Sequence, residues 1–203
     1  MPITTMFKMC SSSEGHALAL YSTCHSPLSL FHVSEFKVDD VPYNSLQQYY
    51  QSEKADYFND LATKFGILYE QSPRKQKQLG DSVEVQKIHA MDLTRAGEEW
   101  DTIKDEILLK GMEAKARQVN DTYDLLTSTK GALIAEAGID GIGLHINDPR
   151  ITESIKWAHD NRIGRMWMVV RYGLQSNELS GKDVSRMPNR CHNTRQYPTK
   201  NEV

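Results

Sequence analysis

The sequence predicts one domain that combines a few short strands with more and longer helices. Three observations carry that expectation. A chain of 203 residues with 39% hydrophobic and 25% charged content is long enough for one sizeable core and fits one domain better than two. Short β-patterned runs lie near the N-terminus, and from Asn44 onward apolar residues recur at helical spacing.

Taken in order, residues 1–16 include Ser11-Ser12-Ser13-Glu14-Gly15 and read as a loosely ordered extension. Ala17 to Ser22 reads as a strand. Phe36-Lys37-Val38 and Val41-Pro42-Tyr43 flank Asp39-Asp40 as a hairpin would, with the aspartates favouring the turn and Pro42 keeping the second strand at an edge. Leu46, Tyr49, Tyr50, Tyr57 and Phe58 then mark a first long helix, whose other face carries Gln47, Gln51 and Lys54. A second helix is expected from Asn59 or Asp60 to about Glu70, where Ser72-Pro73 breaks it. The charged run Arg74-Lys75-Gln76-Lys77 leads on to Leu79-Gly80. Residues 99–118 carry the clearest amphipathic stripe, Trp100, Ile103, Ile107, Gly111 and Ala114, which ends in the polar Lys115 and Gln118. A short helix from Tyr123 to Thr129 is expected to stop at Gly131, followed by a strand from Ala132 to Ala135. Ile163 to Leu174 reads as a buried closing helix. The domain thus spans 17–174, and 175–203 is a polar tail expected to be mobile.

Composition excludes several classes of function. A net charge of -3 gives no general attraction to nucleic acid or to an anionic membrane. No apolar run approaches the roughly 18 residues needed to span a bilayer, and the N-terminus lacks the order of a signal peptide, so a cytoplasmic protein is expected. The three cysteines, Cys10, Cys24 and Cys191, share no close metal-ligand spacing, and neither do the seven histidines. No metal site, disulfide framework or internal repeat is expected, and the histidines are assigned no chemistry.

An ordered set of motifs between about 17 and 174 is more specific. Tyr43-Asn44-Ser45-Leu46-Gln47-Gln48-Tyr49-Tyr50-Gln51-Ser52-Glu53-Lys54-Ala55 is followed by Ser72-Pro73, Leu79-Gly80, Trp100, the run from Gly111 to Gln118, and Leu125-Leu126-Thr127-Ser128-Thr129. Glu136, Gly141-Ile142-Gly143-Leu144 and Asn161-Arg162-Ile163-Gly164 complete it. This series resembles the NADAR family. The resemblance implies a compact, helix-rich α+β domain with a small β-sheet and one polar cleft. It also implies hydrolysis of an N-glycosidic bond to ribose, in ribosylamine phosphates of the riboflavin pathway or in ADP-ribosylated nucleotides and bases. Neither cofactor nor metal is implied; the expected partner is a small ribose phosphate or an ADP-ribose-type ligand.

By the same resemblance, Gln47, Gln51, Lys54, Trp100 and Gln118 bind substrate, and Asp140, Glu136 and Lys115 carry the chemistry, with Gln47, Lys54, Trp100, Lys115 and Asp140 converging on the cleft. The residue types suit the reaction. Cleaving a ribose–nitrogen bond builds oxocarbenium-like charge that a carboxylate stabilises. Lysine neutralises phosphate, or attacks an opened sugar once burial lowers its pKa. The chain departs from the family pattern at several points. Gln47 stands where the family has glutamate, and Asp81 where it has arginine. The segment from Gly80 to Trp100 is longer than the family's and that from Glu136 to Gly141 shorter, so Asp140 aligns with either an aspartate or a tryptophan.

Each residue also has a plainer reading. Gln47 lies three residues after Asn44 and could close a capping box with it. Gln47, Gln51 and Lys54 could form an exposed polar face, and Lys115 could pack its stem on the core with its ammonium in solvent. Trp100 suits core packing as well as stacking, and Asp140 suits a turn. The loss of the family glutamate also leaves room for a second function, a binding module that holds an ADP-ribose-like nucleotide without cleaving it.

Overall fold

Ala17-Leu18-Ala19-Leu20-Tyr21 is apolar without alternation, and a strand of that kind needs cover on both faces. In the computed structural model, which describes residues 7–11, 15–22, 24–83, 93–138, 145, 146, 148, 151 and 161–180, this run is β2 (Ala17–Tyr21), the central strand of a three-stranded sheet. It pairs antiparallel with β1 (Phe7–Ser11) and parallel with β5 (Leu133–Glu136). Ala19, Tyr21 and Ile134 enter the main core; Leu20 and Ala135 face the other way, against Ala137, Ile146 and Ile151. Patterning places no strand before Ala17. Phe7–Ser11 becomes one because it completes the ladder on the free edge of β2.

The hairpin forms as expected from β3 (Phe36–Val38) and β4 (Val41–Tyr43), with Asp39 and Asp40 both at positive φ, 49° and 64°. Among the described residues six helices surround the sheet: α1 (Leu46–Tyr57), α2 (Leu61–Tyr69), α3 (Pro73–Asp81), α4 (Leu93–Gln118), α5 (Asn120–Ser128) and α6 (Arg162–Ser180). This is a helix-rich α+β domain. Helix α3 corrects the sequence reading, which treats Ser72-Pro73 only as a break. Proline is favoured at the first position of a helix, where its missing N–H costs nothing, and Pro73 takes that position. Helix α5 ends at Ser128, and it is Lys130 rather than Gly131 that adopts positive φ, 49°. Helix α6 runs past Leu174 to Ser180, into the stretch expected as tail.

Polar side chains tie the helices together. Ser45 caps α1 by accepting from the Gln48 N–H at 3.0 Å, and its hydroxyl donates to Gln76 Oε1 at 2.6 Å. Gln48 accepts from the Asn44 N–H and donates to the carbonyls of Ile67, Leu68 and Glu70 at the end of α2. The capping pair is therefore Ser45 with Gln48, one residue on from the Asn44–Gln47 box, and Gln47 is left for another role.

Glycines set the closest approaches. A Cβ at Gly111 of α4 would overlap the Tyr49 ring of α1, and one at Gly80 of α3 would overlap the Gln51 amide. At Gly164 of α6 it would overlap the Ile134 carbonyl and the Asn161 amide, which itself donates to Ile134 O at 2.8 Å. Backbone cannot swing aside, so Gly164→Ala is expected to destabilise the fold by about 1–3 kcal/mol. Gly173→Ala on the same helix, where nothing lies within 4 Å, should instead be neutral or stabilising by up to about 1 kcal/mol. Denaturant unfolding of the two variants side by side checks the contrast.

Candidate functional site

Parallel strands β2 and β5 end side by side, with Tyr21 opposite Glu136. From β2 the chain runs into the loop 22–35, which is fastened from three sides. Trp167 Nε1 donates to Leu28 O at 2.7 Å, the Gln47 N–H to Leu30 O at 3.1 Å, and Thr122 Oγ1 to Pro27 O at 3.5 Å. Between this loop, the end of β5 and one face of α3 lies a groove of about 410 Å³, lined by Cys24, Ser29, Phe31, Arg74, Lys77, Gln78, Asp81 and Glu136. A second depression of about 310 Å³ shares Cys24, Phe31 and Arg74 with it and adds His25, His32 and Ser72.

The groove holds both signs of charge. Glu136 brings a carboxylate at the strand end, and α3 brings Arg74 and Lys77, with Lys77 paired to Asp81 at 2.6 Å. These α3 residues fall at i, i+3, i+4 and i+7, one face of a helix. Sequence reasoning missed Arg74 and Lys77 because it left the segment after Pro73 without structure; reading Pro73 as a first helical residue would have aligned them.

Behind the groove, α1 turns its amides inward. Gln47 and Gln51 are buried, and Gln51 Nε2 donates to Gln47 Oε1 at 3.1 Å. The Gln51 Oε1, packed against Gly80, has no hydrogen-bond partner. Lys54 donates to Gly80 O at 2.8 Å, so it caps the end of α3; burial lowers its pKa, and Asp81 opposes that shift. The exposed polar face expected on the plainer reading is therefore a buried contact between α1 and α3.

Lys115 is completely buried and its Nζ has no hydrogen-bond partner. Burial lowers its pKa to about 7, so near neutrality a large fraction is free amine. Its ammonium does not reach solvent as the packing reading expects. Its charge is felt by His32, whose pKa falls to about 4 through burial first and the Lys115 charge second. His32 Nδ1 is likewise buried without a partner. No spacing rule links positions 32 and 115, so only the fold brings them together.

The remaining candidates lie elsewhere. Trp100 is buried against Tyr50, Tyr57 and Phe58, with ring centroids 5.4–5.9 Å apart, in a small aromatic cluster. Gln118 is exposed and clasps the edge of β3, accepting from the Lys37 N–H at 2.9 Å and donating to Lys37 O at 2.8 Å. Neither lines the groove beside Glu136. Asp140, with Gly141 and Gly143, lies outside the described residues. Among the described residues no cluster of His, Cys, Asp or Glu could hold a metal ion, and no helix is long and apolar enough to cross a membrane.

The molecule is a helix-rich α+β domain with a mixed-charge groove at the ends of two parallel strands. Comparison makes the class specific. The family model for the NADAR domain matches residues 20–175, and the chain belongs to the NADAR family. Its structure is similar to the NMR structure of the E. coli protein YbiA, with a TM-score of 0.62 and 19% identity, over 92% of this chain and 100% of that one. No curated protein matches.

Proposed function

We propose that this chain is an N-glycosyl hydrolase acting on ribosylamine phosphates or on ADP-ribosylated nucleotides and bases, with the groove between α3 and β5 as its site. The observation that carries this reading is Glu136 in one groove with Arg74 and Lys77. The carboxylate can stabilise positive charge at an anomeric carbon or activate water; the two cations can take the phosphate of the same substrate. Lys115 is outside the groove's lining and fully buried, an amine substantially unprotonated near neutrality that would suit the aldehyde of an opened ribose only where a ligand gains access to it. Asp140, which follows Glu136 closely in sequence, is the second carboxylate candidate.

One observation favours a second reading, that of a binding module. The residue aligned with the family glutamate is Gln47, and its Oε1 already accepts from Gln51. A glutamate oxygen could accept the same hydrogen bond, so an acid would fit at position 47 with Gln51 as its partner. Incubation with a panel of ribosylamine phosphates and ADP-ribosylated nucleotides separates the two. Release of free base or amine supports the hydrolase, with Gln47→Glu expected to raise the rate. Calorimetric binding of ADP-ribose without turnover supports the module, and neither binding nor release removes both.

A further inference from the structure

We infer that His32 is the positioning residue of Lys115, the imidazole through which this buried amine exchanges its proton with whatever occupies the depression beside α3; this role stands apart from the glycosidase reading. Lys115, a residue with 0% exposure, has its Nζ enclosed and without a hydrogen-bond partner. His32 Nδ1 is enclosed without a partner as well. The His32 ring nevertheless lines the depression of about 310 Å³, with Ser72 and Arg74 at the start of α3. One imidazole therefore has a nitrogen turned into the protein and an edge turned out of it.

The fold brings the two residues to one level. Helix α4 runs antiparallel to α1: Trp100 packs on Tyr57 and Phe58 at the end of α1, and Gly111 on Leu46 and Tyr49 near its start. Lys115 lies about one turn beyond Gly111, before Gln118 reaches Lys37 of β3. Loop 22–35 crosses the same end of α1. Leu30 O accepts from the Gln47 N–H at 3.1 Å, the Ser34 N–H donates to Asn44 O at 2.9 Å, and between them the His32 N–H closes a turn onto Ser29 O at 3.2 Å. His32 is therefore fixed over the start of α1, where α4 delivers Lys115. The electrostatics agree, since the Lys115 charge helps to hold the imidazole's pKa down.

Charge state fits the imidazole for the task. Burial and then Lys115 bring its pKa to about 4; Asp121 at the start of α5 opposes the fall and His25 adds to it. Arg74 adds positive charge to the same depression. Lys115, whose pKa burial lowers to about 7, thus titrates while His32 is neutral. A neutral imidazole carries one N–H and one lone pair, whereas an imidazolium has nothing with which to accept. The transfer then leaves no net charge on the ring. An Nζ–H bond of the ammonium breaks and an Nδ1–H bond forms, as the Nε2 proton passes to an acceptor in the depression, either water or a ligand oxygen or nitrogen. The ring ends as the other neutral tautomer, and the same steps in reverse return a proton to the amine. Neither atom is bonded to the other here, and rotation within lysine's unbranched chain brings Nζ to Nδ1.

NMR of the full chain carrying isotope-labelled lysine reads this exchange, with the Lys115 Cε signal identified by its loss in Lys115→Met. In the parent the signal should move with pH as one averaged line, through a midpoint at about 7. His32→Phe keeps the bulk of the ring without its nitrogens, so proton exchange should slow by about 10²-fold and the line should broaden or split. The ring edges a depression and its Nδ1 makes no bond, so the variant's thermal melt should stay close to the parent's. His32→Ala should slow exchange likewise, and free imidazole added to it should restore the fast rate. The methylated form, 1-methylimidazole, fills the same space but carries no N–H, and should not. Absence of glycoside cleavage on the substrate panel would remove the hydrolase reading and leave the relay standing. Exchange in His32→Phe as fast as in the parent overturns the relay, as does a split line in the parent or equal rescue by the two imidazoles.

Discussion

Replacing Lys115 with methionine is expected to stabilise the protein by several kcal/mol at and below neutral pH, with the gain fading toward pH 10.5. The amine is fully buried without a hydrogen-bond partner, and its pKa drops from 10.5 to about 7. Between those two values the unfolded chain holds a proton that the folded chain has released, so the native protein's stability rises with pH across that window. Below about pH 7 both states are protonated and the whole cost of burying the ammonium remains, at about 1.4 kcal/mol per pH unit of displacement. Methionine has similar length and no charge, so its unfolding free energy should lack the rise that Lys115 contributes over the same range. Urea titrations of both proteins from pH 6 to 10 read the difference directly. Equal slopes with pH would show that Lys115 has found a counter-ion or water. A ribose phosphate that reaches this amine supplies the missing partner, so it should raise the melting temperature of the native chain more than that of Lys115→Met.

Glu136→Gln is expected to lower kcat by about 10²–10⁴-fold on any substrate the panel identifies, with KM little changed. The amide keeps the shape of the carboxylate but turns one acceptor oxygen into a donor and lacks the charge that an oxocarbenium-like transition state requires. Glu136 sits at the end of β5 beside the buried Tyr21, whose phenol burial and then the Glu136 charge hold in its protonated form. The variant should leave the strand pairing intact. A loss smaller than a few-fold would move the acid role to Asp140. Combining Glu136→Gln with Gln47→Glu is informative as well, since recovery of rate would mean that a carboxylate at position 47 can replace the one at 136.

Much of the fold was legible in the sequence because it rests on local rules. The hairpin followed from two aspartates able to adopt positive φ, the second helix from the cap at Asp60, and α4 from its apolar period. Helix α3 was missed because one residue, Pro73, ends one kind of structure and begins another, and only its neighbours in space tell which. Strand β1 was missed because Phe7–Ser11 has no pattern of its own and exists through pairing with β2.

The site divides along the same line. Sequence by itself determined the family, through the order of its motifs, and with it the identity of Gln47, Gln51, Lys54, Lys115 and Glu136 as residues to examine. Through the resemblance it also set Gln47 where the family has glutamate, since that is a matter of residue type. Only the tertiary structure decided that Gln47 and Gln51 bond to each other, that Lys54 caps α3, that Lys115 lies unpaired near His32, and that Arg74 and Lys77 share a groove with Glu136. It likewise set Trp100 among Tyr50, Tyr57 and Phe58 and placed Gln118 on the edge of β3. The physical reason is that burial, a shifted pKa and a shared groove are properties of neighbours far apart along the chain. A residue's type is fixed by its own position, but its charge state and its partners depend on what the fold packs against it.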